Sequence, residues 1–468
     1  MRVTGVRLHP AAMKVLLSPI GSRGDVAPMV VLGRGLRARG HEVALLVPSD
    51  MTAFVQSHGL TALASASNVT QIVKRYAGQL DDPVAVLRIL VRECRRELQA
   101  QIDELERVVP GYDLVVGAGL QLAAVSVCAG LSVPVRTVIY TTSVLPSAEQ
   151  PPFWLPLRHT PRWLNPWLWA VPDWINGHIA FGPLQTWRRA HGMAVEWMPI
   201  PAMVGDAPIL ACDRRLATPP ADAWPPATQT GWLRDDDEPP LEPSLLAWLA
   251  AGEPPIYLGF GSMVDGDTAG TLATARALAA ATARRVLVVR GWSDHAAETG
   301  SDAVLVIDGA PHGRLFPRCA CVIHHGGAGT TQAAANAGVP QVIVPHLLDQ
   351  FDFADRVVTI GVGPKTPSRR HWDAAGLIRS VQVALADDAM RARAAALGAA
   401  MRAEDGVAAT IALLELTVAD AGAGVRPTVP ERPPVPWMRP RFWVVAALAL
   451  VLAAAASAAL VRWWMGPG

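Results

Sequence analysis

Val322-Ile323-His324-His325-Gly326-Gly327-Ala328-Gly329-Thr330-Thr331 is a short apolar run that enters a glycine-rich turn and leaves it as the alanine-rich start of a helix. Small residues at such a turn let a ligand reach the backbone. The helix N-terminus adds free N–H groups and partial positive charge, so the pattern suits a diphosphate. His325 brings a ring N–H and Thr330 a hydroxyl donor. A plain glycine-rich strand-to-helix turn accounts for the glycines but not for a histidine pair followed by threonines. A metal shared by His324, His325 and His346 is disfavoured, because adjacent residues leaving a strand point to opposite faces.

Outward from this turn the same rhythm repeats. Strands are predicted at 256–259, 285–290, 304–307, 321–324 and 341–344, with helices over 268–281 and 329–337, which is the plan of a doubly wound parallel α/β unit. The first half reads likewise. A strand at 14–20 leads through Gly21-Ser22-Arg23-Gly24-Asp25 into an amphipathic helix ending near Arg39 and a strand at 42–47, and further strands fall at 113–117 and 134–139. Two such units facing each other form a cleft at the carboxyl ends of their strands. The acidic, proline-bearing run Asp235-Asp236-Asp237-Glu238-Pro239-Pro240 reads as the connection between them and as a solvated face, with no ligand role.

The segment 151–197 breaks the rhythm. It carries Trp154, Trp163, Trp167, Trp169, Trp174 and Trp187 with Arg158, Arg162, Arg188 and Arg189 between them. Such a mixture suits an apolar ligand or a membrane interface; ordinary core packing is the competing reading.

The 468 residues, 51% of them apolar, exceed one ordinary core and predict two globular domains. A formal net charge of +1 argues against nucleic acid as a partner. Five cysteines without a CxxC pair indicate neither a disulfide framework nor a zinc knuckle. The N-terminus lacks the apolar stretch of a secretory signal, and Met13 is an alternative natural start. Residues 442–461 are apolar except Ser457, long enough to cross a bilayer of ~30 Å, with Trp437 and Trp443 at one end and Trp463 and Trp464 at the other. They predict one transmembrane helix, with a buried core helix as the alternative. Arg432, Arg439 and Arg441 before the run against Arg462 after it predict cytoplasmic catalytic domains. The expectation is a single-pass membrane protein tethered through the proline- and arginine-rich stretch 421–441.

Three stretches carry a resemblance: HHGGAGTTQAAANAGVPQVIVPHLLDQFDFADRVVTIGVGPK from His324, MKVLLSPIGSRGDVAPMVVLGRGLRARGHEV from Met13, and PPIYLGFGSM from Pro254 to Met263. Taken in their order along the chain, they resemble the signatures of family 1 glycosyltransferases with the GT-B fold, above all sterol glucosyltransferases and vancomycin-type antibiotic glycosyltransferases. The resemblance spans 13–418. It implies an N-terminal acceptor-binding Rossmann-like domain at 13–232 and a C-terminal nucleotide-sugar-binding one at 233–420, followed by the tether at 421–441 and the transmembrane helix at 442–461.

The same resemblance implies that His325 and the backbone of Gly327, Ala328, Gly329 and Thr330 hold a donor diphosphate, with Ser262 helping from the facing loop. Asp349 and Gln350 match positions that bond the donor sugar's hydroxyls, although Asp349 also fits the N-cap of the next helix. Ser22 and Arg23 match positions near the phosphates, where a guanidinium offsets leaving-group charge. Asp25 is the candidate general base, since glycosyl transfer to a hydroxyl needs that proton removed and plant relatives carry a histidine at the corresponding place. Its competing reading is an N-cap for a helix starting near Val26.

No acidic DxD motif lies near the donor turn, so neither an obligatory metal nor another cofactor is expected, and one base without a covalent intermediate implies inversion at the anomeric carbon. Gly313 and Arg314, within APHGRLFPRC, replace bulkier residues of related chains, which leaves recognition of the nucleotide base open. The resulting expectation is transfer of a hexose from a nucleotide-diphosphate sugar, a UDP-sugar favoured, to a lipid-like or other hydrophobic hydroxyl acceptor. Transfer to a soluble aglycone and a non-catalytic, membrane-tethered nucleotide-sugar-binding protein remain as alternatives.

Overall fold

The computed structural model describes residues 12–67, 83–152, 155, 160–196, 199–260, 268–290, 303–346, 348–367 and 373–424. The first half contains β1 (Lys14–Ile20), α1 (Arg23–Ala38), β2 (Glu42–Pro48), α2 (Thr52–Ser57), β3 (Thr61–Ser65), α3 (Pro83–Val108), β4 (Leu114–Gly119), α4 (Ala124–Gly130) and β5 (Val135–Ile139). It continues with α5 (Asn165–Ile179), α6 (Gly182–Ala190), α7 (Pro199–Val204), β6 (Ile209–Leu210) and β7 (Thr228–Gln229). These strands form one sheet of order β3-β2-β1-β4-β5-β6-β7, parallel at every pair. Both faces are covered, which is why β1 and β2 read as unbroken apolar runs rather than alternating ones.

The second half runs α8 (Pro243–Ala250), β8 (Ile256–Gly259), α9 (Thr268–Thr282), β9 (Val286–Val289), β10 (Val304–Ile307), α10 (His312–Leu315), β11 (Cys321–His324), α11 (Ala328–Ala337), β12 (Gln341–Ile343), α12 (Gln350–Thr359), α13 (Ala374–Ala386), α14 (Asp388–Arg402) and α15 (Gly406–Gly422). Its sheet has the order β10-β9-β8-β11-β12, again parallel throughout. In each sheet the strand order reverses at one point, between β1 and β4 and between β8 and β11. Crevices for ligands open beyond the carboxyl ends of strands at such points. The turns after β1, β4 and β11 therefore lie where a site belongs.

Several contacts join the halves. Leu210, Cys212 and Leu216 share a core with Ala335, Ile343, Phe353 and Val357. The backbone N–H of Asp213 donates to Gln332 Oε1 at 2.9 Å. The acidic run is more than a solvated face: Arg34 on α1 pairs with Asp235 at 2.9 Å and with Asp237 at 2.6 Å. Helix α15 returns to the first half, where Ile411 and Leu414 enter the core around β1 and α1. Glu415 meets Arg39 and His41, and Arg136 Nε donates to Thr417 at 2.9 Å.

The tryptophan-rich segment divides between core and surface. Trp169 and Trp187 are buried, their indole N–H groups given to the Gln150 carbonyl at 3.0 Å and the Glu106 carboxylate at 2.7 Å. Trp163 is 68% exposed. Trp154 and Arg158 lie outside the described residues.

The single-pass membrane location has to be corrected. Among the described residues no helix is long and apolar enough to cross a membrane, and the run 442–461 expected to do so lies outside them. The one long described helix, α3, carries Arg92, Glu93, Arg95, Arg96 and Glu97 within two turns, charges that no hydrocarbon core accommodates. A membrane span, a membrane partner and a cytoplasmic orientation are therefore not assigned to this chain.

Candidate active site

The turn after β1 is built around Asp25. Ser22 is the N-cap of α1, its Oγ accepting from the Gly24 N–H at 3.2 Å, and Asp25 is the third helical residue of the same capping box. The competing N-cap reading of Asp25 is thus displaced by one turn: the cap is Ser22, and Asp25 accepts in return. Its Oδ2 receives the Ser22 N–H at 2.8 Å and the Ser22 hydroxyl at 3.1 Å. A methyl on Gly21 (φ +148°) would stand 2.2 Å from Oδ2, and one on Gly119 (φ +63°) 3.0 Å from Oδ1, so both glycines keep space for the carboxylate. Burial raises the Asp25 pKa, an effect larger than the lowering by the Ser22 hydrogen bonds. Arg23, exposed, stacks its guanidinium 4.6 Å from the Phe54 ring centroid.

Across the cleft, β11 ends at His324, whose two ring nitrogens are spent on the fold. Nδ1 accepts from the Gly326 N–H at 3.1 Å, and Nε2 meets Gln341 Oε1 at 3.0 Å. His325 turns the other way, with ring planes at 87°. Its Nδ1 is buried without a partner among the described residues. Burial, then His346 and His312, push its pKa down to about 4, so the ring is neutral near pH 7. Gly327 is the N-cap of α11 and supplies no side-chain cap, which leaves the first-turn N–H groups of Ala328, Gly329 and Thr330 for a ligand. A methyl on Gly327 would stand 2.5 Å from His325 Nε2, whereas one on Gly329 would meet nothing within 4 Å. Thr331 is not available, because its hydroxyl donates to the Gly327 carbonyl at 2.9 Å.

Asp349 occupies the N-cap position of α12 but makes no cap hydrogen bond. Burial first, then Asp352 and Asp25, raise its pKa to about 7. Leu348, just before it, adopts a left-handed φ of 55°, a strained conformation of the kind held at ligand sites. Gln350 is buried, its Oε1 accepting from the His346 N–H at 2.8 Å. Ser262 lies outside the described residues.

The two turns face each other closely enough for charge to cross the gap. Asp25 raises Asp349, and Arg23 contributes to holding His312 down to about 4, second to its burial. His312 stacks on Phe316 with centroids 4.4 Å apart. The departure at Gly313 has a local cause: Glu238 accepts from the Arg314 N–H at 3.1 Å, and a methyl at 313 would stand 2.7 Å from that carboxylate. Among the described residues no group of three His, Cys, Asp or Glu side chains is arranged to hold a metal ion. Two neighbours of Asp25 were not singled out from the sequence: Tyr140, whose hydroxyl donates to the Asp25 carbonyl at 3.0 Å, and Gly119, beside its carboxylate. A lone tyrosine after a strand carries no pattern, but the small residues closing β4, Gly117-Ala118-Gly119, were a usable sign of close approach.

Known proteins place this architecture. Residues 283–414 match the model of the erythromycin biosynthesis protein CIII-like C-terminal domain, and residues 15–92 match the glycosyltransferase family 28 N-terminal domain. The glycosyltransferase GtfE of Amycolatopsis orientalis is 35% identical over 362 residues, covering 75% of this chain and 85% of the relative. The vancomycin aglycone glucosyltransferase of the same organism is 34% identical over 360 residues, with the same coverage of 75% and 85%. A sterol 3-beta-glucosyltransferase of Arabidopsis thaliana, UGT80B1, is 26% identical over 429 residues, 85% of this chain and 67% of the relative. Among solved structures, the glycosyltransferase VinC in complex with dTDP shares the fold at TM-score 0.62 and 20% identity, covering 87% of this chain and 100% of that one. The chain is an enzyme of the family 1 glycosyltransferases with the GT-B fold.

Proposed function

We propose that this enzyme transfers a hexose from a nucleotide-diphosphate sugar, a UDP-sugar favoured, to a hydroxyl of a lipid-like or other hydrophobic acceptor, with inversion at the anomeric carbon. The observation that carries the reading is that the Asp25 carboxylate, its pKa raised by burial, lies close enough to Asp349 for its charge to act there, while the uncapped turn into α11 packs through Gly326 against Gln350 beside Asp349. In this reading residues 13–232 are the acceptor half and 233–420 the donor half.

The diphosphate rests on the N–H groups of Ala328, Gly329 and Thr330, at the positive end of α11, with the neutral His325 donating one ring N–H. Asp349 and Gln350 bond the sugar hydroxyls; Arg23 and Ser22 stand at the phosphate side of the facing turn, and Ser262 is kept as a further donor contact. The acceptor oxygen attacks the anomeric carbon as Asp25 takes its proton. The bond from that carbon to the phosphate oxygen breaks, and its electron pair leaves with the diphosphate. One displacement on an α-linked donor gives a β-linked product.

An apolar acceptor is supported by the exposed Trp163 and Ile179 on the segment after β5, and by relatives named for a sterol and for an antibiotic aglycone. The test is incubation with labelled UDP-, dTDP- and GDP-hexoses and a panel of sterol, polyprenol and polyketide alcohols. Label is expected in the organic extract with the UDP donor. Label confined to hydrophilic alcohols overturns the acceptor reading, and preference for dTDP or GDP overturns the donor reading.

A further inference from the structure

The phenol of Tyr140, the residue directly after β5, donates to the backbone carbonyl of Asp25 at 3.0 Å. The contact joins the end of β5 to the turn after β1, with β4 lying between these two strands in the sheet. The first turn of α1 needs such support. Pro28 sits inside the helix, and without an N–H it gives the Gly24 carbonyl no helical partner. The turn is bonded from outside the helix ladder by the Ser22 capping box and, at the next carbonyl along, that of Asp25, by Tyr140. Burial, with the Asp25 charge second, raises the phenol's pKa well above its ordinary value, so it stays a donor.

We propose that Tyr140 is a positioning residue for the transfer reaction, fixing the Asp25 backbone and thereby the direction of its carboxylate; this rests on the reading of Asp25 as the base. Tyr140 bonds the Asp25 backbone, so its effect on the reaction passes through that residue. It acts by holding the carboxylate in line with the attacking hydroxyl, and a base misplaced by a fraction of an ångström loses rate while both substrates still bind.

The test compares the parent with Tyr140→Phe, Asp25→Asn and the double variant, all as the full chain. Rates are expressed per donor-binding molecule, titrated by calorimetry, so that loss of folded protein is not counted as loss of rate. Tyr140→Phe keeps the ring and removes only the hydroxyl. It is expected to lower kcat roughly tenfold while leaving both KM values within about twofold. The double variant is expected to turn over no more slowly than Asp25→Asn, because two residues acting through one group do not lose independently. An unchanged kcat in Tyr140→Phe overturns the proposal, as does a double variant whose losses multiply. A near-parental rate in Asp25→Asn is a different failure, that of the base itself.

Discussion

His325 stays neutral near pH 7 because burial and two neighbouring imidazoles hold its pKa near 4. A neutral ring gives a diphosphate one N–H without adding a charge to desolvate. His325→Ala is expected to weaken donor binding by roughly 1–3 kcal/mol, the size of a hydrogen bond to a charged group; unchanged affinity by calorimetry removes it from the site. Asp349 makes the opposite case. Its folded pKa of about 7 lies above the ordinary 3.8, so the folded state holds its proton more tightly than the unfolded chain does. The resulting cost to stability is absent below the unfolded value, grows as pH rises, and is complete above about 7. Asp349→Asn is therefore expected to melt higher than the parent at pH 8 and together with it at pH 4, while binding donor sugar more weakly. A melting difference independent of pH contradicts this. Asp25 and His325 were legible as residues of the turns beyond β1 and β11, because each follows an apolar strand through a glycine-bearing stretch. Tyr140 was not, since its role depends on strand β5 lying two places from β1.

At the scale of elements, the turn from β11 into α11 works by what it omits. Gly327 offers no capping side chain, and His325 folds over the space that a methyl there would fill. Gly327→Ala keeps an allowed backbone, with φ −62° and ψ 146°, but displaces the imidazole. It is expected to weaken donor binding by as much as His325→Ala, roughly 1–3 kcal/mol, and the double variant by no more than either. Additive losses by calorimetry place the effect in the helix terminus instead. Most strands were legible because buried parallel strands announce themselves as Val/Ile/Leu runs. The strand at 14–20, that at 256–259 and that at 321–324 stand where the sequence puts them. The two-residue strands β6 and β7 were not legible, being too short for any periodicity and defined by pairing alone.

The whole molecule depends on α15 crossing back. A sequence-based division after 232 assigns that helix to the second half, yet Ile411 and Leu414 are buried against α1 and β1 of the first. No local pattern encodes which sheet an amphipathic helix will cover. A chain ending at Gly424 is expected to keep its fold and donor binding. One ending at Glu404 loses about 1.5–3 kcal/mol for each of those two side chains, along with the Glu415 pairs, and is expected to melt well below the parent; equal melting temperatures contradict the role of α15. Asp25 lies close enough to Asp349 of the second half for its charge to act there, and the proposed transfer depends on what that carboxylate does. Because the base works only when ionised, the acid limb of the rate profile is expected above the ordinary aspartate pKa. The most direct measurement is single-turnover transfer of labelled hexose to a hydrophobic alcohol by the parent and by Asp25→Asn, with donor affinity measured on the same samples. Asparagine preserves an acceptor oxygen for the Ser22 capping box but takes no proton. The expected result is equal donor binding with transfer slowed on the order of 10²–10⁴-fold; transfer within a few-fold of the parent would contradict the account.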